Sequence, residues 1–113
     1  MNNKKNILEI AQNSILSQSK SIAKLTDFLD DNFINATESI YNCKGRLVVT
    51  GIGKSAIIAQ KIVATMNSTG TPALFLHASE AIHGDLGMVQ ADDVIICISK
   101  SGNSPEIKLL IPL

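Results

Sequence analysis

The chain has 113 residues, and its ten Lys and Arg balance ten Asp and Glu, giving a formal net charge of zero. That length admits one small domain and not two. Zero charge without a basic cluster excludes a nucleic-acid binder. The longest clearly apolar run, Val94 to Ile98, falls far short of the roughly 18 residues of a membrane span.

The aromatic residues are Phe28, Phe33, Tyr41 and Phe75, so the core is aliphatic and base-stacking surfaces are scarce. The N-terminus is charged and then mixed, unlike a secretory signal. Cys43 and Cys97 belong to no Cys-x-x-Cys pattern and read as reduced core thiols of a cytoplasmic protein. Neutrality gives poor colloidal stability and mildly favours an assembled state.

Residues 6–30 read as one long helix. Leu8, Ile15, Ile22 and Leu29 recur every seven residues, with Ala11 and Leu25 three positions further on. This narrow stripe suits either the seam of a subunit interface or a helix lying on the domain. Asp30-Asp31-Asn32 breaks the pattern and can cap a second helix over residues 33–43.

From residue 45 the character changes. Residues 46–50 form a short β-rich run, Gly51-Ile52-Gly53 follows, and a helix is expected over residues 55–67. Gly70 and Pro72 end that helix. Residues 73–76 read as a second strand, residues 77–90 as a polar loop, and residues 93–99 as a third strand. The continuous apolar run of that third strand suggests burial on both faces. Ser101-Gly102-Asn103-Ser104-Pro105-Glu106 opens a last helix, with Ser104 as N-cap and Glu106 complementing the helix dipole. The alternation predicts an α/β, flavodoxin- or Rossmann-like parallel sheet preceded by N-terminal helices. Residues 1–44 are expected to pack on the domain or on a partner subunit, and residues 45–113 to form the α/β part.

Gly51-Ile52-Gly53-Lys54-Ser55 lies between a strand and a helix and admits three ligand readings. A P-loop fails, because its first glycine would fall at Val48. A dinucleotide fingerprint fits with Ala56 last, but the second strand has no acid near its end until Glu80. The third is a phosphate or sugar-phosphate loop, in which the glycines admit an anion to backbone N–H groups, Ser55 adds a hydroxyl and Lys54 a charge. A plain tight turn is the competing structural reading. The Ser99-Lys100-Ser101-Gly102 stretch crowds hydroxyls at the end of the third strand. In the flavodoxin-like strand order 2-1-3-4-5, strands one and three are neighbours and their two loops flank one topological switch point, and a phosphorylated ligand is the leading inference. His77, Glu80, His83 and Asp85 match no standard zinc spacing, and no metal site is expected. A histidine here can instead serve as an acid or base.

Four ordered blocks, Gly51-Ile-Gly-Lys-Ser55, Ser68-Thr-Gly-Thr-Pro72, Glu80-Ala-Ile-His-Gly-Asp-Leu-Gly-Met88 and Ser99-x-Ser-Gly102, closely resemble the sugar isomerase (SIS) domain, and within it the arabinose-5-phosphate isomerases. The resemblance implies a five-stranded parallel sheet, incomplete at the C-terminus of this chain. It implies interconversion of D-arabinose 5-phosphate and D-ribulose 5-phosphate, feeding Kdo and lipopolysaccharide synthesis. It further implies a homotetramer with no cofactor. By position, Gly53, Ser55, Ser99, Ser101, Gly102 and Ser104 match phosphate-binding residues, and Lys54, His83 and Glu106 match catalytic ones. Rival expectations are an isomerase of another phosphosugar, a non-catalytic sugar-phosphate sensor, and an oligomerisation module.

Overall fold

The computed structural model describes residues 3–102, Pro105 and Lys108. The chain forms two compact units, Met1–Thr37 and Glu38–Leu113.

In the first unit, helix α1 spans Asn3–Lys24 and has no buried residue. Leu8, Ile15, Ile22 and Leu29 are all exposed. The expected single helix is shorter than its stripe, because Leu25–Phe28 tightens into a 3-10 turn. The Thr26 hydroxyl donates to the Ala23 carbonyl at 3.0 Å, a local bond that competes with continued helix. Helix α2, Asp31–Tyr41, starts where the cap was expected. Asp30 Oδ1 accepts from the N–H of Asn32 at 3.0 Å and of Phe33 at 3.4 Å, satisfying two orphan donors of the first turn.

The second unit is built on strand β1, Leu47–Gly51, which is buried along its whole length. Strand β2, Ala73–His77, and strand β3, Val94–Cys97, pair with it in parallel on either side. The order is β2-β1-β3, as expected for a doubly wound sheet. Helix α3, Lys54–Ser68, connects β1 to β2. Leu47 and Val49 meet Ala59 of α3, with Phe75 and Ile96 packed alongside. On the opposite face, Val48 and Leu76 meet Ala78 and Ala81 of the short helix α4, Ala78–Ile82, with Leu86 and Val89 packed against them. Each fully buried Leu or Val here contributes roughly 1.5–3 kcal/mol.

The segment 77–90 is therefore a structured crossover and not a plain polar loop. It holds α4 and a 3-10 turn, Asp85–Met88. The third strand also differs from its expected two-sided burial. Val94 and Ile96 are half-buried, but Ile95 and Cys97 on the other face are exposed. No described element covers that face of the edge strand, so the apolar run is not buried on both sides and Cys97 is not a core thiol. Cys43 is half-buried, and both cysteines are free.

Two polar devices hold the sheet's amino edge. The Asp93 carboxylate accepts from the backbone N–H groups of Arg46 and Gln90, both at 2.7 Å, and lies 3.4 Å from the Arg46 guanidinium. Arg46 in turn donates to the Met88 carbonyl at 2.7 Å. These bonds tie the end of the crossover to the start of β1. At the outer edge, the Asn67 side chain bonds both the N–H and the carbonyl of Ala73, at 2.8 and 3.2 Å.

Candidate functional site

The carboxyl edge of the sheet is where the sequence places its chemistry. β1 gives way to α3 through Gly51, Ile52 and Gly53. Gly53 has φ +62° and ψ −130°, a conformation open in practice to glycine alone. Gly51 is required by proximity, because a Cβ there would lie 3.0 Å from the Ser55 backbone. The first turn of α3 thus folds tightly over the end of β1. Its N-cap is Gly53, which has no side chain to cap with, and no acidic residue occupies its first turn. The Ala56 N–H donates to the Gly53 carbonyl at 3.1 Å, and the positive dipole end of the helix ahead of it favours an anion. Lys54 is exposed and Ser55 half-buried.

The second loop leaves the end of β3. The Ile98 N–H donates to the Thr50 carbonyl at 2.9 Å, extending the ladder one step and bringing residues 99–102 out beside the Gly51–Gly53 turn. The Ser99 hydroxyl accepts from the Gly102 N–H at 2.9 Å, and Gly102 has φ +71°. Ser99 therefore shapes this turn with one lone pair and keeps its own proton for another acceptor. Ser101 and Gly102 are exposed. Because α3 lies on one face and the crossover on the other, the strand order reverses at β1. Ligands of doubly wound sheets bind at that position.

His83 ends α4. Its backbone N–H donates to the Glu80 carbonyl at 3.1 Å, while its exposed ring has no hydrogen-bond partner among the described residues. Ser104 and Glu106 lie outside the described residues. Among the described residues, no group of three or more His, Cys, Asp or Glu is placed to hold a metal ion, and no helix is long and apolar enough to cross a membrane.

Sequence reasoning missed His77 as more than one member of a poor metal pattern. The register pairs it with Gly51 at the very end of the β1–β2 ladder. A polar residue closing the apolar strand Ala73–Leu76 was the available signal. It also missed Asp93, whose pKa lies below its ordinary value of 3.8, chiefly because the Arg46 and Gln90 N–H groups stabilise the carboxylate. The Cys97 thiol, by contrast, is pushed up by partial burial.

A parallel sheet with crossovers on both faces and glycine turns at its switch point defines an α/β domain of the doubly wound class. Residues 39–113 match the SIS domain, and the chain belongs to that family. It is 44% identical over 106 residues to arabinose 5-phosphate isomerase GutQ of Escherichia coli K12, covering 94% of this chain and 33% of that protein. It is 53% identical over 92 residues to arabinose 5-phosphate isomerase KdsD of Shigella flexneri, covering 81% of this chain and 28% of that one. Among solved structures it resembles E. coli CFT073 c3406 in complex with arabinose 5-phosphate, with a TM-score of 0.89 and 42% identity, covering 99% of this chain and 59% of that one. The chain thus spans about a third of the length of the curated relatives it matches.

Proposed function

We propose that this chain carries the phosphosugar-binding part of an arabinose-5-phosphate isomerase. The observation that carries the reading is the adjacency of two loops at the carboxyl edge. The α3 N-terminus, with Gly53 as its N-cap and Lys54 and Ser55 in its first turn, lies beside the Ser99–Gly102 turn that β3 delivers next to it. Backbone N–H groups at Gly53 and α3, and the hydroxyls of Ser55, Ser99, Ser101 and Ser104, hold the phosphate. The names of the relatives, arabinose 5-phosphate isomerases, support the choice of sugar.

Isomerisation moves a proton between C1 and C2 through an enediolate. It needs a base, an acid to shuttle hydroxyl protons, and positive charge near the developing oxyanion. Glu106 takes the first role, His83 the second and Lys54 the third. The product, D-ribulose 5-phosphate in one direction and D-arabinose 5-phosphate in the other, places the reaction at the start of Kdo and lipopolysaccharide synthesis in the cytoplasm. The seven-residue stripe of α1 suits the interface of a homo-oligomer, with a tetramer as the family resemblance implies.

Calorimetric titration with arabinose 5-phosphate tests the binding. Ser55→Ala and Ser101→Ala should each weaken affinity roughly 5- to 150-fold, the worth of a hydrogen bond to a charged group. Unchanged affinity in both variants would place the phosphate elsewhere. A coupled assay of ribulose 5-phosphate formation, run on this chain and on a protein extending to the relatives' full length, tests catalysis. In the longer protein His83→Ala should reduce kcat by about 10²–10⁴ with little change in KM. A longer protein that binds the sugar phosphate but never isomerises it would favour a sensor.

A further inference from the structure

The chain has two histidines, and the structure treats them differently. The His83 ring is exposed. The His77 ring is half-buried, and its Nδ1 accepts from the backbone N–H of Ser79 at 3.2 Å while the Ser79 hydroxyl stands 2.9 Å from the same nitrogen. A backbone N–H can only donate, so Nδ1 carries no proton. In the neutral ring the proton is then on Nε2, and the Ser79 hydroxyl donates to Nδ1 as well.

The ring's position gives this tautomer a use. Ala73 and Phe75 pack on the α3 side of the sheet, and His77 follows them in the alternation of β2. Its ring meets the Phe75 ring edge-on, with centroids 6.2 Å apart and planes at 86°. His77 is paired with Gly51, and the Cβ direction of Gly51 on that same side runs into Ser55. His77 therefore stands beside the first turn of α3, and among the described residues its Nε2 has no partner.

We propose that Ser79 is a positioning residue that locks His77 in the Nε2–H tautomer, so that His77 meets the ligand as a hydrogen-bond donor and not as a proton acceptor. The ligand role rests on the phosphosugar reading above; the tautomer does not. The division of labour is then fixed by local structure. Proton shuttling falls to His83, whose ring nothing restrains among the described residues, while His77 contributes an N–H aimed by the N-terminus of α4.

The test uses the ¹⁵N-labelled 113-residue chain without ligand, at a pH well above the ordinary histidine pKa of about 6.5. Long-range ¹H–¹⁵N spectra should show His77 as a single tautomer, with a pyridine-like Nδ1 and a pyrrole-like Nε2. His83 should show the averaged shifts of a free histidine and so serve as the internal reference. Ser79→Ala keeps the backbone donor and should keep the tautomer. Ser79→Pro removes both donors at a position early enough in α4 to accept proline, and His77 should move to the His83 pattern. A wild-type His77 that averages like His83, or carries its proton on Nδ1, overturns the lock, as does a Ser79→Pro spectrum identical to wild type. Titration with arabinose 5-phosphate then reads the donor role. His77→Ala should bind about tenfold more weakly, and His77→Gln, which places an N–H at similar reach, should recover most of that loss. Equal affinity of His77→Ala and wild type overturns the donor. Failure of the site itself would show separately, as Ser55 and Ser101 variants that bind like wild type.

Discussion

Strands β1 and β3 lie side by side, have similar composition, and meet different fates. Every residue of β1 is buried, whereas β3 alternates between half-buried and exposed, with Ile95 41% accessible. The difference does not come from the residues. Val-Val in β1 and Ile-Ile in β3 are equally fit for a core. It comes from what lies above them: β1 has α3 on one face and the crossover on the other, and β3 has described partners on one face only. Burial is a property of position in the sheet, and the strand's own apolarity only permits it.

Truncating a side chain in each strand separates their environments most strongly. Leu47→Ala should cost about 2–5 kcal/mol, as deletion of a fully packed side chain does, and Ile95→Ala less than about 1 kcal/mol, both read from urea unfolding of this chain. Equal losses would mean that β3 is covered in solution. A second perturbation addresses the strands' amino ends, where Asp93 joins them. Asp93→Asn should lower stability at neutral pH, because an amide has one acceptor oxygen for the two N–H groups of Arg46 and Gln90. The folded pKa of Asp93 is lowered from 3.8, so its contribution is complete above that value and is lost as pH falls through the lower folded value. The gap between wild type and variant should therefore close on acidification below about pH 4, in chemical denaturation followed against pH.

Smaller effects are expected at the row where Thr50 faces Cys97. The Thr50 hydroxyl is buried without a partner among the described residues. Thr50→Val should leave stability unchanged or raise it by about 1 kcal/mol, since it removes an unpaired polar group at constant shape. A loss of stability would reveal a bond made in solution. The least effect belongs to Cys97, whose thiol is exposed yet held above its ordinary pKa by partial burial. Alkylation at neutral pH should be slower for Cys97 than for a free thiol and should accelerate as pH rises, in mass-spectrometric time courses. A fast neutral reaction would show a thiolate the desolvation forbids.

Much of the architecture was legible in the sequence because its signals are local. The Gly51–Gly53 turn, the α3 run, Gly70 and the two apolar strands fixed the β-α-β order, and the switch point placed the loops. The crossover was not legible. α4 is only five residues long, too short for helical periodicity, and it is anchored by Ala78 and Ala81, which carry little hydrophobic signal. The exposure of Ile95 and Cys97 was equally hidden, since an apolar run reports what could be buried and not what arrives to bury it. At the candidate site, Gly53, Lys54 and Ser55 announce themselves by spacing. His77 and Ser79 do not, because a strand register and a ring tautomer appear only once the chain is folded.

The Asn67 side chain has a consequence for assembly. Ala73 turns its N–H and carbonyl away from β1, since the neighbouring Pro72 carbonyl accepts from Leu47 across the ladder. Asn67 takes both of those outward groups, acting as a one-residue stand-in for another strand. The outer rim of β2 is thereby closed at its first step to any extended chain that would pair with it, while the rim of β3 carries no such plug among the described residues. Addition of a strand to this sheet is thereby directed to the β3 side.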